Sequence, residues 1–380
     1  MASIAPFKIG IPEEELSLLQ QKLKLARIAP SYTDWRDENG LDSTFIRNIV
    51  DYWRTEYDWR SEEAEINKIP QFMTQIEVSD GFGSLDVHFA HSQSSKQDAV
   101  PLIFIHGWPG SFIEVSKGLK RLNDEGFHVV APSLPGYGFS GYPKKKGFDL
   151  RKVAEVLQKL MLRLGYEKFL VQGGDWGSHI SRCIGILYPE NTLAIHTNMF
   201  EMPGSPFDPD EQPEVNGFEK AALERHFTWF RQTNHGYGAI QGQRPATLGF
   251  AMHDSPVGML AWMYDKLVVW SDEYPWTPKE IITWTLMHYF PGPTTGFMMY
   301  HENTYEGLMK SKWFNEYIKV PYGISAFPRE LAVMPRSWAQ KQVNLKFYRQ
   351  HPRGGHFAMH EKTEELVSDL IEFYRSVLGR

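Results

Sequence analysis

The sequence predicts an α/β protein: a mostly parallel, doubly wound sheet with a helical insertion and a helical N-terminal extension. Three observations predict it. Between about residues 70 and 200, short apolar runs that end in Gly/Pro turns alternate with amphipathic helical patterns. After residue 200 the alternation stops and the chain reads as helix until about residue 310. Strand signals then resume, and a final helix closes the chain. Strands alternating with helices argue for a parallel sheet covered on both faces. Right-handed crossovers make such a sheet doubly wound.

The elements follow in order. "IPEEELSLLQQKLKLARI" opens with Pro12 and three glutamates, which suit a first helical turn. Leu16, Leu19, Leu23 and Ala26 recur at helical spacing. "STFIRNIVDYWRTEY" predicts a second helix with Ser43 as its N-cap. "QFMTQIEVSDGFGSLDVHFAHS" reads as two strands around an Asp80-Gly81 turn. "VPLIFIHGWPGS" and "FHVVAPSLPGYGFS" are each a short apolar strand with a Gly/Pro turn. "FDLRKVAEVLQKLMLRLGY" is an amphipathic helix closing near Gly165. "KFLVQGGDWG" is a strand, "SHISRCIGILYP" a helix and "LAIHTNM" a strand. Residues 203 to 217, rich in Pro, Gly and acidic residues, have a loop signature. "GFEKAALERHFTWFRQTN" and "TPKEIITWTLMHYF" are the clearest helices of the insertion. "YGISAFP" and "NLKFYRQH" are late strands, and "EKTEELVSDLIEFYRSVL" is the terminal helix.

Composition excludes several classes of function. The 380 residues are 42% hydrophobic and 23% charged, which is ordinary for a globular chain and not for a disordered one. A net charge of -6 offers no basic face for nucleic acid, and the basic run Lys144 to Lys146 reads as a solvated loop. The single cysteine, Cys183, excludes an intrachain disulfide and is compatible with a reducing compartment. The first residues lack the apolar core of a signal peptide, and no apolar run is long enough to span a bilayer. The expectation is a soluble, cytoplasmic protein. Aromatic residues, including 12 Trp, cluster between 200 and 320, as helix packing or as the walls of an apolar pocket would require.

"LVQGGDWGSHI" carries the chemistry. A strand, a glycine turn and a helix are the setting in which many hydrolases hold a nucleophilic serine, spaced G-x-S-x-G. Here Asp175 stands at the centre, between Gly173 and Gly177. A carboxylate ionises near pH 4 and needs no base to become a nucleophile. Attack on a saturated carbon would leave an ester, which water must cleave with a general base, an orienting acid and oxyanion donors. The candidate base is His356 in "RGGHFAMHE" and the candidate acid Glu330 in "SAFPRELAVMP", each past a late strand. Backbone N–H groups in "HGWPG", at Trp108, and at Trp176 after the nucleophile are the candidate oxyanion hole. Taken singly these residues have blander readings: an N-cap for Asp175, packing for His356, a surface carboxylate for Glu330. Their order of nucleophile, acid and histidine is that of the α/β-hydrolase fold. This chemistry calls for no cofactor and no metal. His356 and His360 are four apart but lack the H-E-x-x-H pattern of a zinc site.

"HGWPGS", "GGDWGS", "SPVG" and "GGHF" together resemble the epoxide hydrolases of the microsomal type, in a soluble, fungal-like form. The resemblance extends to "FKIGIPEEELSLLQQKLKLARI", Trp35-Arg36 and "YDWR", and so to nearly the whole chain. It implies that Asp175 opens an epoxide, that His356 and Glu330 hydrolyse the ester, and that a vicinal diol leaves. It implies two lid tyrosines as proton donors, by motif position Tyr237 in "HGYGAIQ" and Tyr300 in "MMYHEN". Tyr264, Tyr289 and Tyr305 are rivals among 17 tyrosines. It further implies a cis peptide at Trp108-Pro109, and an N-terminal segment that wraps the core and braces the lid. Glu330 departs from the Asp of many members, and the membrane anchor of the mammalian members has no counterpart here. The implied partner is a small epoxide, apolar or aryl, such as a styrene oxide. A homodimer, known among members, and a role in detoxification or aromatic hydrocarbon catabolism are compatible with the resemblance.

The expected organisation is an N-terminal region at 1–90, a first part of the core at 91–200, a helical lid at 201–320 and a second part of the core at 321–380. Two other functions stay in view. A haloalkane dehalogenase also uses an aspartate nucleophile but needs halide-binding N–H donors, of which Trp176 could be one. A non-catalytic receptor built on the hydrolase pocket would have no need of Glu330.

Overall fold

The computed structural model describes residues 3–30, 40–202, 215–304 and 307–379. Trp35-Arg36, Tyr305 and most of the expected 203–217 loop lie outside the described residues. The strands are β1 (Ala5–Phe7), β2 (Gln71–Val78), β3 (Gly83–Ser92), β4 (Val100–Ile105), β5 (Phe127–Pro132), β6 (Phe169–Gly173), β7 (Thr192–Thr197), β8 (Ile318–Ala326) and β9 (Val343–Gln350). The helices α1 (Glu13–Leu25), α2 (Ser43–Thr55) and α3 (Trp59–Ile66) precede β2. In the first part of the sheet come α4 (Ser116–Asp124), α5 (Leu150–Arg163) and α6 (Trp176–Leu187). Between β7 and β8 lie α7 (Gly217–Glu224), α8 (Gly236–Gln243), α9 (Pro245–Asp254), α10 (Pro256–Trp270), α11 (Pro278–Tyr289) and α12 (Thr294–Thr304). After β8 come α13 (Arg336–Gln342), α14 (Ala358–Glu361) and α15 (Thr363–Leu378).

One sheet runs in the order β1-β2-β3-β5-β4-β6-β7-β8-β9. The pairs from β5 to β9 are parallel, and β1, β2 and β3 add an antiparallel edge. Strand order reverses between β4 and β6, because the chain steps out to β5 and crosses back. The crevice at the carboxyl ends of strands flanking such a reversal is where doubly wound sheets bind ligands. The central strands are apolar and buried on both faces, as helices on both sides require: Leu102, Ile103, Ile105, Phe169, Leu170 and Val171 have no exposed surface. At the edge, Val78 pairs with Gly83 across the predicted hairpin. Asp80 and Gly81 both have positive φ, 59° and 74°, as a tight two-residue hairpin turn demands.

The structure corrects the sequence reading at four elements. The first residues are not all helix: β1 pairs with β2 and extends the sheet. Asp42, not Ser43, caps α2, its carboxylate accepting from the Thr44 N–H at 2.6 Å. Pro12 occupies the N-cap of α1 and not its first turn. The helix predicted through "GFEKAALERHFTWFRQTN" is α-helical only to Glu224, and Arg225–Asn234 widen to a π-helix.

The N-terminal region is tied to both neighbours. The Ile11 N–H and the Trp59 indole N–H both donate to Glu63 Oε1, at 2.8 and 3.0 Å. Toward the helices of the insertion, Tyr57 and Thr283 share a hydrogen bond of 3.0 Å, Lys279 pairs with Glu62 at 2.5 Å, and Lys22 pairs with Asp254 at 2.6 Å. Those helices also rest on the carboxyl-end loops. His288 Nε2 lies 2.9 Å from the Pro109 carbonyl, and Thr295 donates to the Gly136 carbonyl at 2.7 Å. Among the described residues no helix is long and apolar enough to cross a membrane.

Candidate active site

Asp175 sits between β6 and α6 with φ 49°, a conformation that non-glycine residues adopt only where the surroundings enforce it. The enforcement is visible. A Cβ on Gly177 would run into the Ile105 carbonyl, so the turn closes tightly against the end of β4. A Cβ on Gly107 would occupy the place of the Asp175 carboxylate. An aspartate at a strand–helix junction ordinarily caps the helix, but the Asp175 side chain makes no cap bond. It accepts instead from the Trp108 N–H, 2.8 Å from Oδ1. The Trp108-Pro109 peptide is cis, as the resemblance implies.

His356 follows β9 and is almost wholly buried. Its Nε2 lies 3.2 Å from Asp175 Oδ2, and its Nδ1 donates to Glu330 Oε1 at 2.5 Å. Its backbone N–H donates to the Trp270 carbonyl at the end of α10, 2.9 Å away. Burial alone would push the imidazole pKa down. The flanking Glu330 and Asp175 carboxylates outweigh it and raise the value to about 10. Glu330 is fixed in turn. The Leu331 N–H donates to Oε1 at 2.6 Å, and Asn198 Nδ2 donates to Oε2 at 3.1 Å. Asn198 has a partner of its own in Gln172 Nε2. His106, at the end of β4, has a structural part: Nδ1 donates to the Gly107 carbonyl and Nε2 accepts from the Leu134 N–H. Burial lowers its pKa to about 4, so it stays neutral.

Tyr237 in α8 and Tyr300 in α12 face Asp175 across a cavity of about 250 Å³. Trp108 stacks on the Tyr237 ring at 5.2 Å, and Trp176 meets Tyr300 edge-on at 4.8 Å. The two tyrosine rings lie 5.9 Å apart, and their hydroxyls interact. Burial, and after it the Asp175 anion for Tyr237 and the Tyr237 phenol and Asp175 for Tyr300, raise both phenol pKa values well above 10, so both hydroxyls keep their protons. Trp176 is the first residue of α6, where a backbone N–H has no acceptor within the helix. The structure thus gathers Asp175, His356, Glu330, Tyr237, Tyr300, Trp108 and Trp176 in one place. The rivals Tyr264 and Tyr289 do not line the cavity.

Sequence reading missed three features of the site. Asn198 follows β7 in "HTNM", and its position past a strand end was the available signal. Glu201, paired with Arg231 and 3.4 Å from His179 Nε2, adds a polar patch to the cavity wall. Glu114, just after the Trp108 turn, lies deep beside the elbow.

Two family models match the chain: "Epoxide hydrolase N terminus" over residues 4–115 and "alpha/beta hydrolase fold" over residues 100–234. Epoxide hydrolase 1 of Sus scrofa is 34% identical over 98% of this chain and 88% of its own length. Juvenile hormone epoxide hydrolase 1 of Ctenocephalides felis is 32% identical over 97% of this chain and 85% of its own. The structure of Aspergillus niger epoxide hydrolase superposes with a TM-score of 0.89 at 35% identity, covering 99% of this chain and 97% of that one. A shared fold alone would not fix the family, but identity of 32–35% over nearly all of this chain and at least 85% of each relative does. The chain belongs to the epoxide hydrolase family, an enzyme family built here on the α/β-hydrolase fold with an epoxide hydrolase N-terminal region.

Proposed function

We propose that this enzyme adds water to an epoxide and releases a vicinal diol, by way of an ester on Asp175. One observation carries the reading: the Asp175 carboxylate lies between an N–H donor on one oxygen and an imidazole on the other, beneath two buried phenols. Asp175 attacks a ring carbon and the C–O bond of the epoxide breaks. Tyr237 and Tyr300 hydrogen-bond the departing oxygen and pass it a proton. The proton balance closes on His356. In the resting site two carboxylates hold its proton. Esterification removes the Asp175 charge, the imidazole becomes more acidic, and it gives up the proton that the alkoxide and phenols have gained. Neutral His356, oriented by Glu330, then takes a proton from water as the water attacks the ester carbonyl. The Trp108 and Trp176 N–H groups hold the oxyanion that forms on the former Asp175 carboxyl. Collapse breaks the ester bond, His356 passes its proton to the departing diol oxygen, and the proton left on the Asp175 carboxyl returns to His356, which restores the charged carboxylate and the protonated imidazole of the resting site.

The aromatic walls support a small apolar or aryl epoxide as substrate, and Glu201 and Arg231 add a polar patch to the same cavity. Single-turnover mass spectrometry over a panel of epoxides tests the reading. A His356→Gln variant should carry a trapped alkyl adduct on Asp175, and an Asp175→Ala variant that still formed diol would overturn it. A second reading, haloalkane hydrolysis, draws on the buried indole N–H groups of Trp108 and Trp176, which have no hydrogen-bond partner among the described residues and suit a halide. The paired phenols argue for an oxygen leaving group. Halide release from small haloalkanes decides between the two.

A further inference from the structure

One stretch of the wall of the large cavity carries charge that neither ring opening nor ester hydrolysis uses. Glu201 follows β7, and its side chain is only 9% exposed. It pairs with the Arg231 guanidinium of the π-helix, while His179 Nε2 lies 3.4 Å from Oε2 and His226 Nε2 3.7 Å from Oε1. The carboxylate is thus surrounded by donors. The guanidinium is not surrounded by acceptors. It carries five N–H donors, and among the described residues Glu201 is its one ion-pair or hydrogen-bond partner. Four residues on, His235 lines the same cavity, its ring 5.6 Å from that of Tyr237 and 5.3 Å from that of Phe230. Among the described residues its nitrogens make no hydrogen bond. Burial lowers the pKa of His235 and of His179 to about 4, so near pH 7 both rings are neutral.

Two side chains with spare N–H donors therefore line one cavity beside a catalytic phenol. In a mostly apolar pocket, a few such groups fix the orientation of a ligand. The ligand group that meets them must accept hydrogen bonds. It must also be neutral, because Glu201 already balances the guanidinium and the Asp175 carboxylate stands in the same cavity, where another anion is repelled. A carbonyl meets both conditions, with two lone pairs for two donors. We infer that the epoxide carries an ester or amide carbonyl, which accepts from Arg231 and His235 while Glu201 holds the guanidinium at the cavity wall. This rests on the reading that Asp175 opens an epoxide, and it narrows the substrate from an apolar molecule to an apolar one with a carbonyl arm. No bond of the carbonyl breaks; the contact orients the ring toward Asp175.

Initial-rate assays of diol formation test this with three matched series of terminal epoxides. One series holds methyl esters with the carbonyl two, four or six carbons from the ring, one holds alkyl epoxides of equal length, and one holds the free acids of the esters. For the wild type, kcat/KM for the best ester should exceed that for its alkyl counterpart. Arg231→Met should lower this ester-to-alkyl ratio by about 10–10²-fold, the usual worth of a hydrogen bond to a charged group. His235→Phe should lower it roughly three- to tenfold, as loss of a neutral hydrogen bond would. Glu201→Gln leaves the guanidinium charge unbalanced, so kcat/KM for the free acids should rise at least about tenfold relative to the esters. Where Arg231→Met strands the Glu201 charge and fails to fold, Arg231→Met with Glu201→Gln removes both charges and should show the same fall in the ratio. A ratio that these variants leave unchanged at every chain length would make the pair purely structural and overturn the inference. A wild-type preference for the alkyl series or for the free acids would overturn it as well, and would spare the reaction at Asp175. Absence of diol from all three series would overturn the reaction beneath it.

Discussion

The proton on His356 is held from both sides, by Glu330 at Nδ1 and by Asp175 at Nε2, against the penalty of burial. A folded-state pKa near 10, above the unfolded value near 6.5, makes this proton a source of stability. The contribution is complete below about pH 6.5 and fades as pH rises through about 10. Thermal melts from pH 6.5 to 10 should therefore fall more steeply for the wild type than for His356→Gln. Asp175→Asn removes one of the two carboxylates, so the His356 imidazole should titrate at lower pH by NMR. The phenols give a separate test. Tyr237→Phe with Tyr300→Phe should slow ring opening by roughly 10²–10⁴-fold, the usual worth of a general acid, and leave the decay of a preformed ester nearly unchanged. Legibility differs sharply among these residues. Asp175, His356 and Glu330 could be read from spacing and order, because a nucleophile's turn and two strand-end side chains leave a pattern. Tyr237 and Tyr300 could be read only from the family motif, since a phenol in a helix looks like packing. Glu114 left no pattern, because its place beside the elbow exists only when three distant segments meet.

At the scale of the element, the turn from β6 to α6 is built by exclusion. Gly177→Ala would press a methyl group into the Ile105 carbonyl and should cost at least about 2 kcal/mol, visible as a lower denaturant midpoint. The cap of α2 is a milder case. Asp42→Ala should cost about 1 kcal/mol by chemical denaturation and Ser43→Ala a few tenths, the reverse of what the sequence reading assigns. Asp and Ser are both good caps, and when they are adjacent propensity cannot choose between them. The strand β1 escaped for a related reason: three residues are too few to display alternation, and its place is set by pairing with β2. The π-helix after α7 escaped because its apolar residues recur at spacings that an α-helix also satisfies. The long central strands and amphipathic helices were legible, since burial on two faces or one leaves continuous or periodic apolar residues.

At the scale of the molecule, the N-terminal helices and the helices between β7 and β8 act as one buttress. Trp53, almost wholly buried in α2, should cost about 3–5 kcal/mol when replaced by Ala, and limited proteolysis should then cut the insertion faster. The surface pair Lys22–Asp254 is screened by solvent, so added salt should leave the buttress intact. One bond across this assembly ties the base to the helices above it. The backbone of His356 hangs from the last carbonyl of α10, and Trp270 itself is buried against the imidazole. A gate that swung on α10 would drag the base out of line each time it opened. The π-helix is tied to the same assembly, since Phe230 packs on Trp270 and Arg225 donates to the Glu330 carbonyl, which leaves Met309 and Lys310 as the cavity wall that can move without pulling on the base. Substitutions on that side should alter which molecules enter and how fast products leave, while those beneath α10 should alter the chemistry itself.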